Sequence, residues 1–171
     1  GPQIGDNISG LSVDPTTGMW YMSVIDPGQN AFLYRGDIAT GTFELVGNIG
    51  FGLNIDLAID SQGNAYGHEI AGDMLLSIDL ATGLGTEIGP TGFNANFAQG
   101  MDFDYADDTL YATLYTGGGT GQFGYFDLNT GALIPLQDTA VLNAEMEIAI
   151  ATGIPAPAGL ALMGLALLGT R

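Results

Sequence analysis

One unit recurs three times along this chain, and the recurrence constrains the fold more than any other feature. The first copy reads GLSVDPTTGMWYMSVI and then AFLYRGDIATGTFELVG. The second reads DLAIDSQGNAYGHEI and MLLSIDLATGLGTEIG, the third GMDFDYADDTLYATLY and QFGYFDLNTGALIPL. Each copy has an apolar stretch ending in Asp, a polar turn and a second stretch opening with aromatics. A third stretch again ends in Asp, and a Thr-Gly turn leads into a fourth. The first anchors, Asp14, Asp60 and Asp104, lie 46 and 44 residues apart. The second anchors, Asp37, Asp79 and Asp127, lie 42 and 48 apart.

In LSVD, LAID and MDFD, apolar residues alternate with small or acidic ones, the period of a half-buried strand. Leu11 and Val13, Leu57 and Ile59, and Met101 and Phe103 are expected to face between neighbouring units. DPTTG, DSQGN and YADD are hairpin turns: Asp and Asn bond their own backbone, and Gly accepts positive φ. Ala39-Thr40-Gly41, Ala81-Thr82-Gly83 and Asn129-Thr130-Gly131 form a second recurrent turn. Four strands in a period in the mid-forties is the size of a β-propeller blade. The expected fold is therefore all-β and β-propeller-like, with four-stranded antiparallel blades near residues 8–50, 51–92 and 97–138. A two-sheet sandwich is the alternative, should the units share no axis.

A fourth unit begins and degenerates. AEMEIAIA, residues 144 to 151, alternates like a first strand, with Met146, Ile148 and Ile150 on one face. Gln3 to Gly5 resemble the end of an outer strand, the kind of join by which propellers close. A closed ring of about four blades and half of a larger ring completed by a second copy both satisfy this pattern. Residues 1–152 form the repeat domain and 153–171 an apolar C-terminal tail.

Charge restricts partners. Two basic residues, Arg35 and Arg171, stand against 19 acidic ones, a formal net charge of -17. Nucleic-acid binding, which needs a basic patch to displace counterions, is not expected, nor is binding to an anionic membrane surface. The chain is 46% hydrophobic and only 12% charged, which is not a disordered composition. Cysteine is absent, so thiol chemistry and disulfides are excluded.

The tail, residues 154 to 169, reads IPAPAGLALMGLALLG without a charge, and Arg171 ends the chain. It resembles the PEP-CTERM and VPLPA-type sorting tails of exported Gram-negative proteins. Ile154-Pro155-Ala156-Pro157 stands for the proline motif, Gly159 to Leu168 for the apolar segment and Arg171 for the basic end. The apolar run is shorter than the ~20 residues a spanning helix needs, and a single Arg departs from the usual basic cluster. The resemblance implies export, transient membrane retention through the tail, processing by an exosortase-like protease and a cell-surface or biofilm-matrix location. On the residues alone, the tail also reads as a buried strand or helix finishing the last blade. The body likewise resembles blade repeats of secreted bacterial surface proteins.

Asp56, Asp102 and Glu147 lie at comparable points of successive first strands, opposite the apolar residues. That face of a propeller borders the central channel, where like charges repel unless a cation or solvent intervenes. These three are the candidate Ca²⁺ ligands, since Ca²⁺ takes carboxylate and carbonyl oxygens; a hydrated channel with ordinary carboxylates is the other reading. The remaining Asp-rich segments do not match an EF-hand and read as turn formers. No Gly-x-Ser-x-Gly elbow occurs, and the single histidine, His68, reads as a surface or loop-packing residue rather than a base. GGGTGQFG, residues 117 to 124, lacks the Lys of a phosphate loop and reads as a long hairpin loop. Trp20, Tyr21, Tyr66, Tyr111 and Tyr115 recur on second strands, where blade packing or sugar stacking are the two uses. No catalytic residues, cofactor-binding residues or enzymatic activity are expected.

The expectation is a non-enzymatic, extracellular or cell-surface structural protein that self-assembles into an oligomer or polymer, extracellular filaments included. Its alternative is a carbohydrate-binding or glycan-hydrolysing propeller acting on matrix polysaccharide.

Overall fold

The computed structural model describes residues 1–3, 5–96, 100–138 and 147–151. Twelve strands are described, in three four-stranded antiparallel sheets. The first blade holds β1 (Asn7–Val13), β2 (Trp20–Ile25), β3 (Asn30–Asp37) and β4 (Thr42–Gly52). The second holds β5 (Asn54–Ile59), β6 (Ala65–Glu69), β7 (Met74–Ile78) and β8 (Gly85–Pro90). The third holds β9 (Gly100–Asp104), β10 (Thr109–Gly117), β11 (Thr120–Phe126) and β12 (Leu133–Asp138). Strands pair in chain order within each blade. The innermost strands β1, β5 and β9 meet across the blades, so the units share an axis and the sandwich alternative falls away.

The turns form as their residues dictate. Asp14 accepts hydrogen bonds from the Thr16 and Thr17 hydroxyls, and Asp60 from the Gln62 and Asn64 amides. Asp37, Asp79 and Asp127 each accept the amide two residues on, from Ala39, Ala81 and Asn129. The following Gly41, Gly83 and Gly131 sit at φ of 67°, 80° and 79°, a region glycine enters without cost. GGGTGQFG differs from the expected long loop. β10 and β11 continue through it to a two-residue turn at Gly118-Gly119, because three successive positive-φ glycines reverse the chain at once.

The core lies between blades. Leu57, Ile59, Met101 and Phe103 are buried in it, as the alternation predicts. Tyr21 joins them, and Tyr66 packs its ring 5.5 Å from that of Phe103. Leu11 departs from the expectation at 44% exposure. Residues 147–151 run beside β9 without entering a sheet ladder, while Met146 and the tail, residues 153–171, lie outside the described residues. Near the N-terminus, Gln3 and Asp6 close a short turn rather than extending a strand, and Gly1 lies against Phe43 of β4.

Candidate functional site

The axis is a narrow channel lined by Ser9 to Ser12 of β1, Asp56 and Leu57 of β5, Met101 and Asp102 of β9, and Glu147 to Ala149. Close approach of inner strands shapes it. A Cβ on Gly10 would stand 2.5 Å from the Leu57 nitrogen, and one on Gly100 2.5 Å from the Ile148 nitrogen. These two glycines occupy matching places, so residues 147–151 sit on the third blade as β5 sits on the first.

The carboxylates proposed from sequence do come to this channel, and two of them act as inter-blade clasps. Asp56 accepts the Leu57 amide at 2.8 Å and, through its other oxygen, the Met101 amide of the next blade at 2.6 Å. Asp102 repeats the device with the Phe103 amide at 2.9 Å and the Ile150 amide at 2.7 Å. Burial pushes the Asp56 carboxyl up to about 8, and nearby Glu147 and Asp102 add to the rise. The two amide bonds oppose it. Glu147 is exposed at the channel. Among the described residues, no group of three or more His, Asp or Glu is placed to hold a metal ion. The oxygens of Asp56 and Asp102 face amides rather than a shared centre.

His68 is not on the surface. It is 1% exposed on β6, with its ring 5.7 Å from that of Phe126 in the next blade. Burial pushes it down to about 4, so it is neutral near pH 7, and its Nε2 has no hydrogen-bond partner among the described residues. Its strand period placed it inside; the polarity of imidazole suggested otherwise. The sequence reading also missed a buried polar cluster joining the first two blades. Ser9 Oγ donates to the Asn54 carbonyl at 2.7 Å, and Asn54 Nδ2 donates to Ser23 Oγ at 2.9 Å. Asn54 recurs in no other unit, so repeat comparison gave no signal for it.

Other contacts tie the blade ends. Asp108 accepts both the amide and the hydroxyl of Ser61, at 3.0 and 2.7 Å, across the second and third blades. Tyr111 and Phe123 stack at 6.0 Å and 13° on the third blade, on the face turned away from the second. Trp20 and Tyr115 are half-buried.

No protein-family model and no curated protein matches the sequence. Solved structures do. A chain in the crystal structure of a nidogen/laminin complex superposes with a TM-score of 0.63 at 15% identity, over 78% of this chain and 49% of that one. TolB from Acinetobacter baumannii gives 0.52 at 17% identity, over 77% and 32%. A luciferin-regenerating enzyme gives 0.52 at 10% identity, over 78% and 46%. This chain thus spans half or less of the length of these structures. The three sheets about one axis and these likenesses give the chain a β-propeller fold.

Proposed function

We propose that this chain is a non-enzymatic structural propeller module of an exported, surface or matrix protein, and that it associates with copies of itself through open blade faces. The observation behind this reading is the first blade's far face, the one turned away from the second blade. Leu11 there is 44% exposed and Leu45 55%, whereas Leu57, at the matching inner-strand position of the second blade, is 2% exposed. The third blade's equivalent face, at Met101, is covered by the second blade, whose Asp56 accepts the Met101 amide. A second copy offers the same repeat and is the occupant of matching chemistry. The sorting tail, residues 153–171, belongs to this reading through its resemblance alone. Calcium is proposed as a counter-ion between acidic copies, with Asp56, Asp102 and Glu147 as the positions to substitute.

Sedimentation and electron microscopy of the full chain at low salt test this. Concentration-dependent assemblies are expected, enlarged by Ca²⁺, shrunk by EDTA, and lost in Leu11→Asp. A monomer at all accessible concentrations overturns self-assembly. Equal enlargement by monovalent salt at matched ionic strength reduces calcium to screening. A second reading, glycan binding, draws on the parallel Tyr111–Phe123 pair, since aromatic faces stack on sugars. Saturable binding of a matrix polysaccharide by the monomer, lost in Tyr111→Ala, would favour it.

A further inference from the structure

A cavity of about 570 Å³ opens at the channel mouth where β1 and β5 begin. That volume lies in the range of small-molecule sites. Ile8, Ile25, Leu53 and Ile55 give it aliphatic walls, and Asp26 and Glu147 stand on its lining. Ile25 and Ile55 are buried, whereas Ile8 is 64% exposed and forms a lip. None of the described lining residues is a cation. Arg35 is engaged elsewhere, in an ion pair with Glu44 at 2.8 Å.

The cavity follows from the length of a linker. A single residue, Leu53, separates β4 from β5, whereas nine separate β8 from β9. Both junctions are pinned by the same bond. The Leu53 amide donates to the Gln29 carbonyl at 3.3 Å, and the Thr91 amide donates to the Asp73 carbonyl at 2.8 Å. At the second junction the extra chain fills the corner: Phe93 packs on the core and the Ala95 amide donates to Asp73 at 2.7 Å. The first junction has no residues to spare and leaves the corner open. Gln29 and Leu53, at φ of 66° and 45°, hold its walls in a conformation that side-chain-bearing residues seldom adopt. The pocket is therefore built in advance.

We propose that this cavity binds an aliphatic amine, its hydrocarbon body against Ile8, Ile25, Leu53 and Ile55 and its ammonium group at Asp26 and Glu147. Aliphatic walls with carboxylates and no cation select against acids of the same length and against neutral alcohols. The proposal stands whether or not copies of the chain associate.

The test is calorimetric titration of the full chain with hexylamine, hexanoate and hexanol at ~0.15 M salt. Hexylamine is expected to bind saturably at one site, with the other two at least about tenfold weaker. Glu147→Gln should weaken hexylamine about fivefold, the size of an exposed charge contact. Glu87→Gln, which removes the same charge from β8, should change nothing. Ile8→Ser should weaken all binding without touching the interior. A lysine derivative blocked at both backbone ends separates the sources. If it binds as well as hexylamine, the natural ligand is a lysine side chain; if it does not, it is a free amine. Absence of hexylamine binding, equal binding of hexanol, or equal losses in Glu147→Gln and Glu87→Gln overturns the proposal.

Discussion

The first two blades are written in nearly the same residues and live in different surroundings. LSVD and LAID both put Leu at the same point of an inner strand, yet Leu57 is in the main core and Leu11 is 44% exposed. The difference is the neighbour. Among the described residues the second blade is packed between two blades, whereas the first has a blade on one face only and meets Ile150 at the edge of the other. The first blade compensates on its far side with a small cluster of its own, Met22, Val24 and Tyr34, with Phe32 and Phe43 packed against it. A repeat pattern thus specifies strand, turn and facing direction, while the fate of the outward face depends on what adjoins it.

The largest expected effect breaks this comparison directly. Leu57→Ala should cost about 2–4 kcal/mol, the usual range for a buried leucine that leaves a cavity. Leu11→Ala should cost less than about 1 kcal/mol in the isolated chain, as surface changes do. Urea unfolding of both variants at low protein concentration measures this. Equal losses would mean that the far face of the first blade is covered in solution. A Leu11→Ala loss that grows with protein concentration would identify a second copy as the cover.

Much of this was legible in the sequence because strands and turns are local. The aspartates at 14, 37, 60, 79 and 127 announced their turns, and the two-residue period announced the buried side of β5 and β9. The channel-facing position of Asp56 and Asp102 followed from the same alternation. Their partners did not. The amides of Met101 and Ile150 lie 45 and 48 residues away, and backbone amides leave no trace in composition. His68 was misplaced because its polarity was weighed above its strand period. The corner cavity was invisible for another reason: it arises from residues missing between β4 and β5, not from any motif.

Asp56 and His68 both lie toward the third blade, and they tie stability to pH with opposite signs. Asp56 is raised in the folded state to about 8 from an ordinary 3.8, so the folded chain holds a proton that the unfolded chain has lost. Its contribution is full below pH ~4 and declines as pH rises toward 8. His68 is lowered to about 4 from 6.5, so its contribution is present above pH 6.5 and declines as pH falls toward 4. Between those values the two oppose each other; above pH 6.5 Asp56 acts alone. Stability is therefore expected to fall by about 1 kcal/mol between pH 6.5 and 7.5. Asp56→Asn should flatten that limb and leave the acid limb of His68 in place. Thermal melts across pH 4 to 8 decide this. An unchanged slope in Asp56→Asn would show that another group governs the neutral limb.

The smallest effect separates contacts between blades from caps within one. Asp108 and Asp26 both have carboxyls held below the usual range, for different structural reasons. Asp108 owes this to the hydroxyl and amide of Ser61 in the adjacent blade. Asp26 owes it to the side chain and amide of Asn30 in its own turn. Ser61→Ala removes the 2.7 Å hydroxyl bond and spares the 3.0 Å amide bond. The Asp108 titration, followed by carboxyl NMR shifts, should move part of the way up toward an ordinary aspartate, while Asp26 stays where it is. Both sites are exposed, so the melting temperature should change far less than in Leu57→Ala. If Asp108 does not move, the turn-to-turn clasp between the second and third blades is absent in solution, and their shared core, the Asp56 clasp and the Leu133–Thr91 backbone bond are left to join them.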